Sequence, residues 1–161
     1  YYKEALANQC ILLPGAEEFC RTLAPEAELY ILTNGITMIQ TRRFERSSIR
    51  EFIKGLFISE QVGTPKPNKE FFDAVFASVP GFDKSKAVMI GDSLSSDIRG
   101  GINAGITTIW YNPHLKRNDL GVCPDYTATS YEQVLRILHS ETGRVPPHVS
   151  VLAKHNANKP G

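Results

Sequence analysis

The chain has 161 residues, of which 42% are hydrophobic and 22% charged. That is one domain's length and near-average globular usage, which excludes a disordered chain, a collagen-like repeat and a coiled coil. Eighteen Lys and Arg against 17 Asp and Glu leave a net charge of +1. No global basic field therefore draws nucleic acid or a membrane surface, and no apolar run approaches the ~20 residues that span a bilayer.

The elements alternate along the chain. Ala16, Phe19, Cys20 and Leu23 share one helix face, and Leu29-Tyr30-Ile31-Leu32 is an apolar run suited to a strand buried on both faces. Thr33-Asn34-Gly35 ends that strand, and a helix follows to about Arg46. Ser48 with Glu51 reads as a capping box for a short helix, and Leu56-Phe57-Ile58 as a second strand. After the loop Gly63-Thr64-Pro65-Lys66-Pro67-Asn68, Phe71, Phe72, Val75, Phe76 and Val79 form a helical stripe. Ala87-Val88-Met89-Ile90 is a third strand, stopped by Gly91-Asp92. Leu94, Ile98 and Ile102 mark the next helix, which Gly105 ends at a C′ position. Ile106 to Tyr111 is a fourth strand, and Ser130 with Gln133 caps a last helix through Val134, Ile137 and Leu138. Strands separated by helices predict a parallel α/β sheet with right-handed crossovers. From Thr142 to Gly161 the periodicity stops, which reads as a mobile tail.

The cysteines, at 10, 20 and 123, are odd in number and form no C-x-x-C. They favour a reducing compartment, the cytoplasm, over a disulfide scaffold or a zinc knuckle. The histidines at 114, 139, 148 and 155 have no metal-type spacing. Arg42, Arg43, Arg46, Arg50 and Lys54 are basic but lack interleaved stacking aromatics, so they read as a solvated face rather than an RNA site. No nucleic-acid or membrane partner is expected.

In an open parallel sheet, ligands bind beyond the carboxyl ends of the strands. That edge gathers the Thr33 hydroxyl and the amides of Asn34 and Gly35, the Lys66 ammonium, and the carboxylates of Asp92 and Asp97. Hydroxyl and amide groups suit phosphate oxygens, and a lysine offsets charge that shifts during transfer. The carboxylates would repel phosphate unless a hard cation such as Mg²⁺ lay between. Each piece alone is an ordinary turn, surface lysine or helix cap. Together, each after a predicted strand, they converge on one chemistry.

In this order the segments resemble the haloacid dehalogenase (HAD) superfamily of phosphohydrolases. Leu32-Thr33-Asn34-Gly35 is similar to its second motif, Lys66 within Gly63–Pro67 to its third, and Gly91-Asp92 through Asp97 to its fourth. The likeness extends through Ile58–Gly63 and Asp97–Gly105 and covers about residues 5 to 139. The branch resembled is that of the bacterial pyrimidine 5′-nucleotidases. The resemblance implies a Rossmann-like three-layer αβα core. It implies that Thr33, Asn34, Gly35 and Lys66 hold the phosphate, with Thr33, Asn34 and Lys66 catalytic, and that Asp92 and Asp97 hold Mg²⁺. The substrate implied is a small phosphorylated metabolite, a nucleoside 5′-monophosphate.

The family's first motif, Asp-x-Asp-x-Thr, supplies a nucleophilic carboxylate and a general acid/base. No Asp here is followed at two residues by another, and none precedes Thr33. The expected core therefore lacks its first, central strand and most of the helical cap. Residues 1–13 read as the end of that cap, 14–141 as the core and 142–161 as the tail. Beginning at Tyr1-Tyr2-Lys3, the chain reads as the interior of a longer polypeptide, inactive by itself. Other HAD activities, on a different phosphometabolite or as a dehalogenase, stay open, as does a non-catalytic binding module. Gly91-Asp92-Ser93-Leu94 also resembles the signature of GDSL esterases. No histidine here has an Asp three residues before it, so that serine has no base.

Overall fold

The computed structural model describes residues 4–7 and 13–140. The expectations for Cys10, His148, His155 and the tail of 142–161 fall outside these residues.

Six strands form one sheet in the order β3-β2-β1-β4-β5-β6, with every neighbouring pair parallel. They are β1 (Glu4–Ala7), β2 (Glu28–Thr33), β3 (Ile53–Ile58), β4 (Ala87–Gly91), β5 (Thr107–Tyr111) and β6 (Tyr126–Ala128). The helices are α1 (Ala16–Leu23), α2 (Thr37–Glu45), α3 (Ser59–Val62), α4 (Lys69–Ser78), α5 (Arg99–Ala104) and α6 (Tyr131–Leu138). Side chains alternate across the sheet as the pleat requires. Ala5, Ala7, Leu29, Ile31, Val88 and Ile90 face α1 and α6, in a cluster with Phe19, Leu23 and Val134. Leu6, Tyr30, Leu32 and Met89 face the other way, against Phe71, Phe72 and Val75 of α4. This is the expected three-layer α/β core.

One expectation is corrected. The central place, expected to be empty, is filled by the chain's own Glu4–Ala7, which lie in register with Glu28–Ile31 on one side and Ala87–Ile90 on the other. Two apolar strands flanking an open slot would leave two rows of main-chain groups unpaired, and this short segment pairs with both. Residues 4–7 thus belong to the sheet rather than to a cap remnant.

Two local readings also change. The Ser48–Glu51 capping box does not form; Ile49 precedes a short turn at Arg50–Phe52 with no side-chain cap. Leu94 and Ile98 are buried, but Ile102 is 45% exposed. The cause is a wide turn over Leu94–Ile98, in which the Ile98 N–H reaches five residues back to the Ser93 carbonyl. The extra residue rotates α5, and Gly100, Gly101 and Ala104 face inward instead. A Cβ on Gly100 would press the Phe72 ring, and one on Gly101 the Thr108 methyl, so glycine lets α5 lie close to the sheet. At Ser130 the cap does form: its Oγ accepts the Gln133 N–H at 3.1 Å, while the Gln133 Oε1 accepts the N–H of Thr129, one residue earlier, at 2.7 Å.

Cys20 is fully buried on α1, and burial pushes its thiol up to about 12. Cys123 is exposed. Only a thiolate attacks a disulfide reagent. In a Cys10→Ser background, Cys123 is expected to react promptly with such a reagent at pH 8, and Cys20 only as fast as the chain unfolds. Stoichiometric early labelling of Cys20 would contradict this packing of α1.

Candidate active site

The site lies at the carboxyl ends of β2 and β4. Thr33 ends β2 and is 1% exposed; its hydroxyl donates to the Asn34 carbonyl at 3.3 Å. Asn34 turns its amide to the next loop, where Nδ2 donates to the Lys66 carbonyl at 3.1 Å and Oδ1 accepts the Lys66 N–H at 2.9 Å. The Lys66 side chain returns beneath, donating from Nζ to the Leu32 carbonyl at 2.8 Å and to Asp97 Oδ1 at 2.5 Å. Both ends of this ion pair are buried, at 1% and 0% exposure.

Asp97 reaches Lys66 because of the wide turn. Its Oδ2 also accepts the Ser93 N–H at 3.1 Å, while the Ser93 Oγ caps the turn by accepting the Ser96 N–H. Burial pushes the Asp97 carboxyl up, against the pull of the Lys66 ammonium and the Ser93 amide. Gly91 is required here, since a Cβ on it would overlap the Asp97 side chain. Asp92 follows at the mouth with its side chain exposed. Its carbonyl accepts the indole N–H of Trp110, the sequence's single tryptophan, at 3.0 Å.

The structure thus joins Asn34, Lys66 and Asp97 in one network and separates the two predicted metal carboxylates. Asp92 is outward, while Asp97 has both oxygens engaged and serves as the counter-ion of Lys66. Among the described residues, no three His, Cys, Asp or Glu side chains form a ligand set. A magnesium-type cation is commonly held by one or two carboxylates, waters and substrate phosphate oxygens. Asp92 fits one such place; Asp97 fits a supporting place behind it. The amides near Gly35 are also committed. Gly35 N–H donates to Ser59 Oγ at 2.9 Å, and Thr37 N–H to Glu60 Oε1 at 3.0 Å. Ser59, Glu60, Ser93 and Trp110 are site-building residues that the sequence reading did not assign. Ser59 and Glu60 lie in the Ile58–Gly63 run that carried the resemblance; Trp110 carries no local signal. The hydroxyl of Ser93 contacts Ser95 and Ser96, with no histidine of the described residues among its hydrogen-bond partners, so the esterase reading gains no base there.

Residues 1–111 match the model of the haloacid dehalogenase-like hydrolases. The chain belongs to that family. It is 44% identical over 138 residues to the pyrimidine 5′-nucleotidase PynA of Streptococcus pneumoniae, covering 85% of this chain and 58% of that protein. It is 39% identical over 134 residues to the pyrimidine 5′-nucleotidase YjjG of Escherichia coli, covering 83% and 60%. Among solved structures, it resembles the putative HAD-hydrolase YfnB of Bacillus subtilis, which was solved bound to magnesium. The TM-score is 0.76 at 38% identity, covering 79% of this chain and 56% of that one. The chain thus spans about three-fifths of the length of these curated relatives. The branch that the motifs resemble is the one these relatives carry in their names.

Proposed function

We propose that this chain carries the phosphate-facing half of a magnesium-dependent phosphomonoesterase acting on nucleoside 5′-monophosphates. The observation behind the proposal is the buried Lys66–Asp97 pair, set beside Thr33 and Asp92 at the carboxyl edge of the sheet. The names of the nucleotidase relatives support the substrate class.

Each residue has a role in this reading. Thr33 and the main chain at Asn34 line the phosphate's place. Lys66 brings a positive charge to its oxygens, worth most where water is excluded. Asp97 pairs with that ammonium and aims it, and Asp92 would hold the cation together with waters and the phosphate. Magnesium, when bound, would offset phosphate charge and orient the phosphoryl group. No Asp-x-Asp pair in this sequence supplies the attacking carboxylate and its acid/base partner. The 161-residue chain is therefore expected to release no phosphate by itself. The free thiols of Cys20 and Cys123 suit a reducing, cytoplasmic setting.

The test is phosphate release with magnesium and a panel of nucleoside monophosphates. It is run on the chain alone and on a longer form that carries Asp-x-Asp-x-Thr upstream. The longer form is expected to turn over. Asp92→Asn and Lys66→Ala in it should each cost about 10²-fold, the scale of one preorganised charge. Wild-type rates in both variants would overturn the assignment. So would robust turnover by the 161-residue chain.

A further inference from the structure

Asn34 commits its whole carboxamide to the main chain of one distant residue. Its Nδ2 donates to the Lys66 carbonyl at 3.1 Å, and its Oδ1 accepts the Lys66 N–H at 2.9 Å. Lys66 returns the connection by donating from Nζ to the Leu32 carbonyl at 2.8 Å. The loop after β2 and the loop before α4 are thereby closed into a ring by three hydrogen bonds. The amide orientation follows from the chemistry, because a carbonyl needs the NH₂ end and an N–H needs the oxygen end. Two bonds to a single residue fix both its place and its direction, and hence the line along which its side chain leaves the loop.

We infer that Asn34 is a positioning residue for Lys66: its side-chain amide clamps the Lys66 main chain so that the ammonium stands between Leu32 and Asp97, and that side chain is not itself a phosphate ligand. The consequence for phosphate rests on the role proposed above for Lys66; the clamp does not. Aspartate at this position keeps the acceptor and loses the donor, while alanine loses both. Lys66 is 3% exposed, so an amine reagent reaches it only when the loop opens. Lys69 begins α4, and its side chain is 57% exposed, which makes it the internal reference.

The experiment is a short pulse of acetic anhydride on the native chain, read at each lysine by mass spectrometry. In the wild-type chain Lys66 should label slowly. Asn34→Ala should raise its rate about tenfold or more, as expected from losing two hydrogen bonds. Asn34→Asp should fall between the two, with Lys69 labelling and Trp110 fluorescence unchanged in every variant. Equal Lys66 rates in all three chains would overturn the clamp. A rise at Lys69 matching that at Lys66 would also overturn it, by showing general loosening. A second arm adds inorganic phosphate with magnesium. Slower Lys66 labelling in the wild type supports the phosphate role. No effect of phosphate, with the variant ordering intact, would remove that role and leave the clamp standing.

Discussion

Replacing Lys66 with methionine is expected to lower the unfolding free energy by about 3–5 kcal/mol, the usual cost of breaking a buried ion pair from one side. Both side chains of the pair are 1% exposed or less. The truncation leaves the Asp97 carboxylate with the Ser93 amide but no cation, and leaves the Leu32 carbonyl without its lysine donor. The loss should depend on pH. Burial already raises the Asp97 carboxyl above its ordinary value, and removing the ammonium takes away the largest opposing pull. A carboxyl raised in the folded state binds more protons there than in the unfolded chain, so stability falls as pH rises through its folded value. The deficit of Lys66→Met against wild type should therefore be largest near neutral pH and shrink under acid, as Asp97 protonates. The double variant Lys66→Met/Asp97→Leu should regain much of the loss, since an apolar pair of similar volume needs no cation. Recovery should stay incomplete, because the Ser93 N–H and the Leu32 carbonyl lose their partners. Guanidinium unfolding of the wild type, Lys66→Met and the double variant at pH 7 and pH 5 measures each effect. A single-variant cost below 1 kcal/mol at pH 7 would show that the pair is open to water.

Much of this site could be read from the sequence, because its polar residues stand immediately after apolar strands. Leu29–Leu32 and Ala87–Ile90 are so apolar that only a sheet buried on both faces suits them, and Thr33, Asp92 and the later Asp97 follow from where those runs stop. What escaped depends on tertiary context. Glu4-Ala5-Leu6-Ala7 is composed of good helix formers, and it is a strand because two exposed strand edges flank its place. Tyr126–Ala128 is three residues long, too short for any periodicity, and is fixed by pairing with β5. The five-residue interval from Asp92 to Asp97 was visible, but not the widened turn that spends it. That turn sends Asp97 inward to Lys66 and leaves Asp92 outside, so one spacing yields two different roles. Likewise, Thr-Asn-Gly suggested three groups facing a ligand. The fold instead uses the Asn34 side chain and the Gly35 amide to bind neighbouring loops together.

Gly91→Ala tests how closely the sheet and this turn are fitted. The glycine's backbone is ordinary strand, so the substitution meets no conformational penalty of its own. The new methyl would overlap the Cβ and carboxylate of Asp97, which is fully buried and held by Lys66 and Ser93. Overpacking a tight interior costs about 1–3 kcal/mol where the neighbours can yield. Here the yielding neighbour is one half of a buried ion pair, and displacing it forfeits part of the ~3–5 kcal/mol tied to that pair. A total of about 3 kcal/mol or more is expected, with the wide turn loosened and Asp92 shifted with it. The mechanism predicts strong non-additivity. In an Asp97→Gly background both the Cβ and the carboxylate that the methyl would meet are gone, and Gly91→Ala should cost less than about 1 kcal/mol, a coupling at the upper end for residues in contact. The cycle is read from guanidinium midpoints of the wild type, the two single variants and the double variant. Additive costs would mean that Gly91 is kept for some reason other than the approach of Asp97.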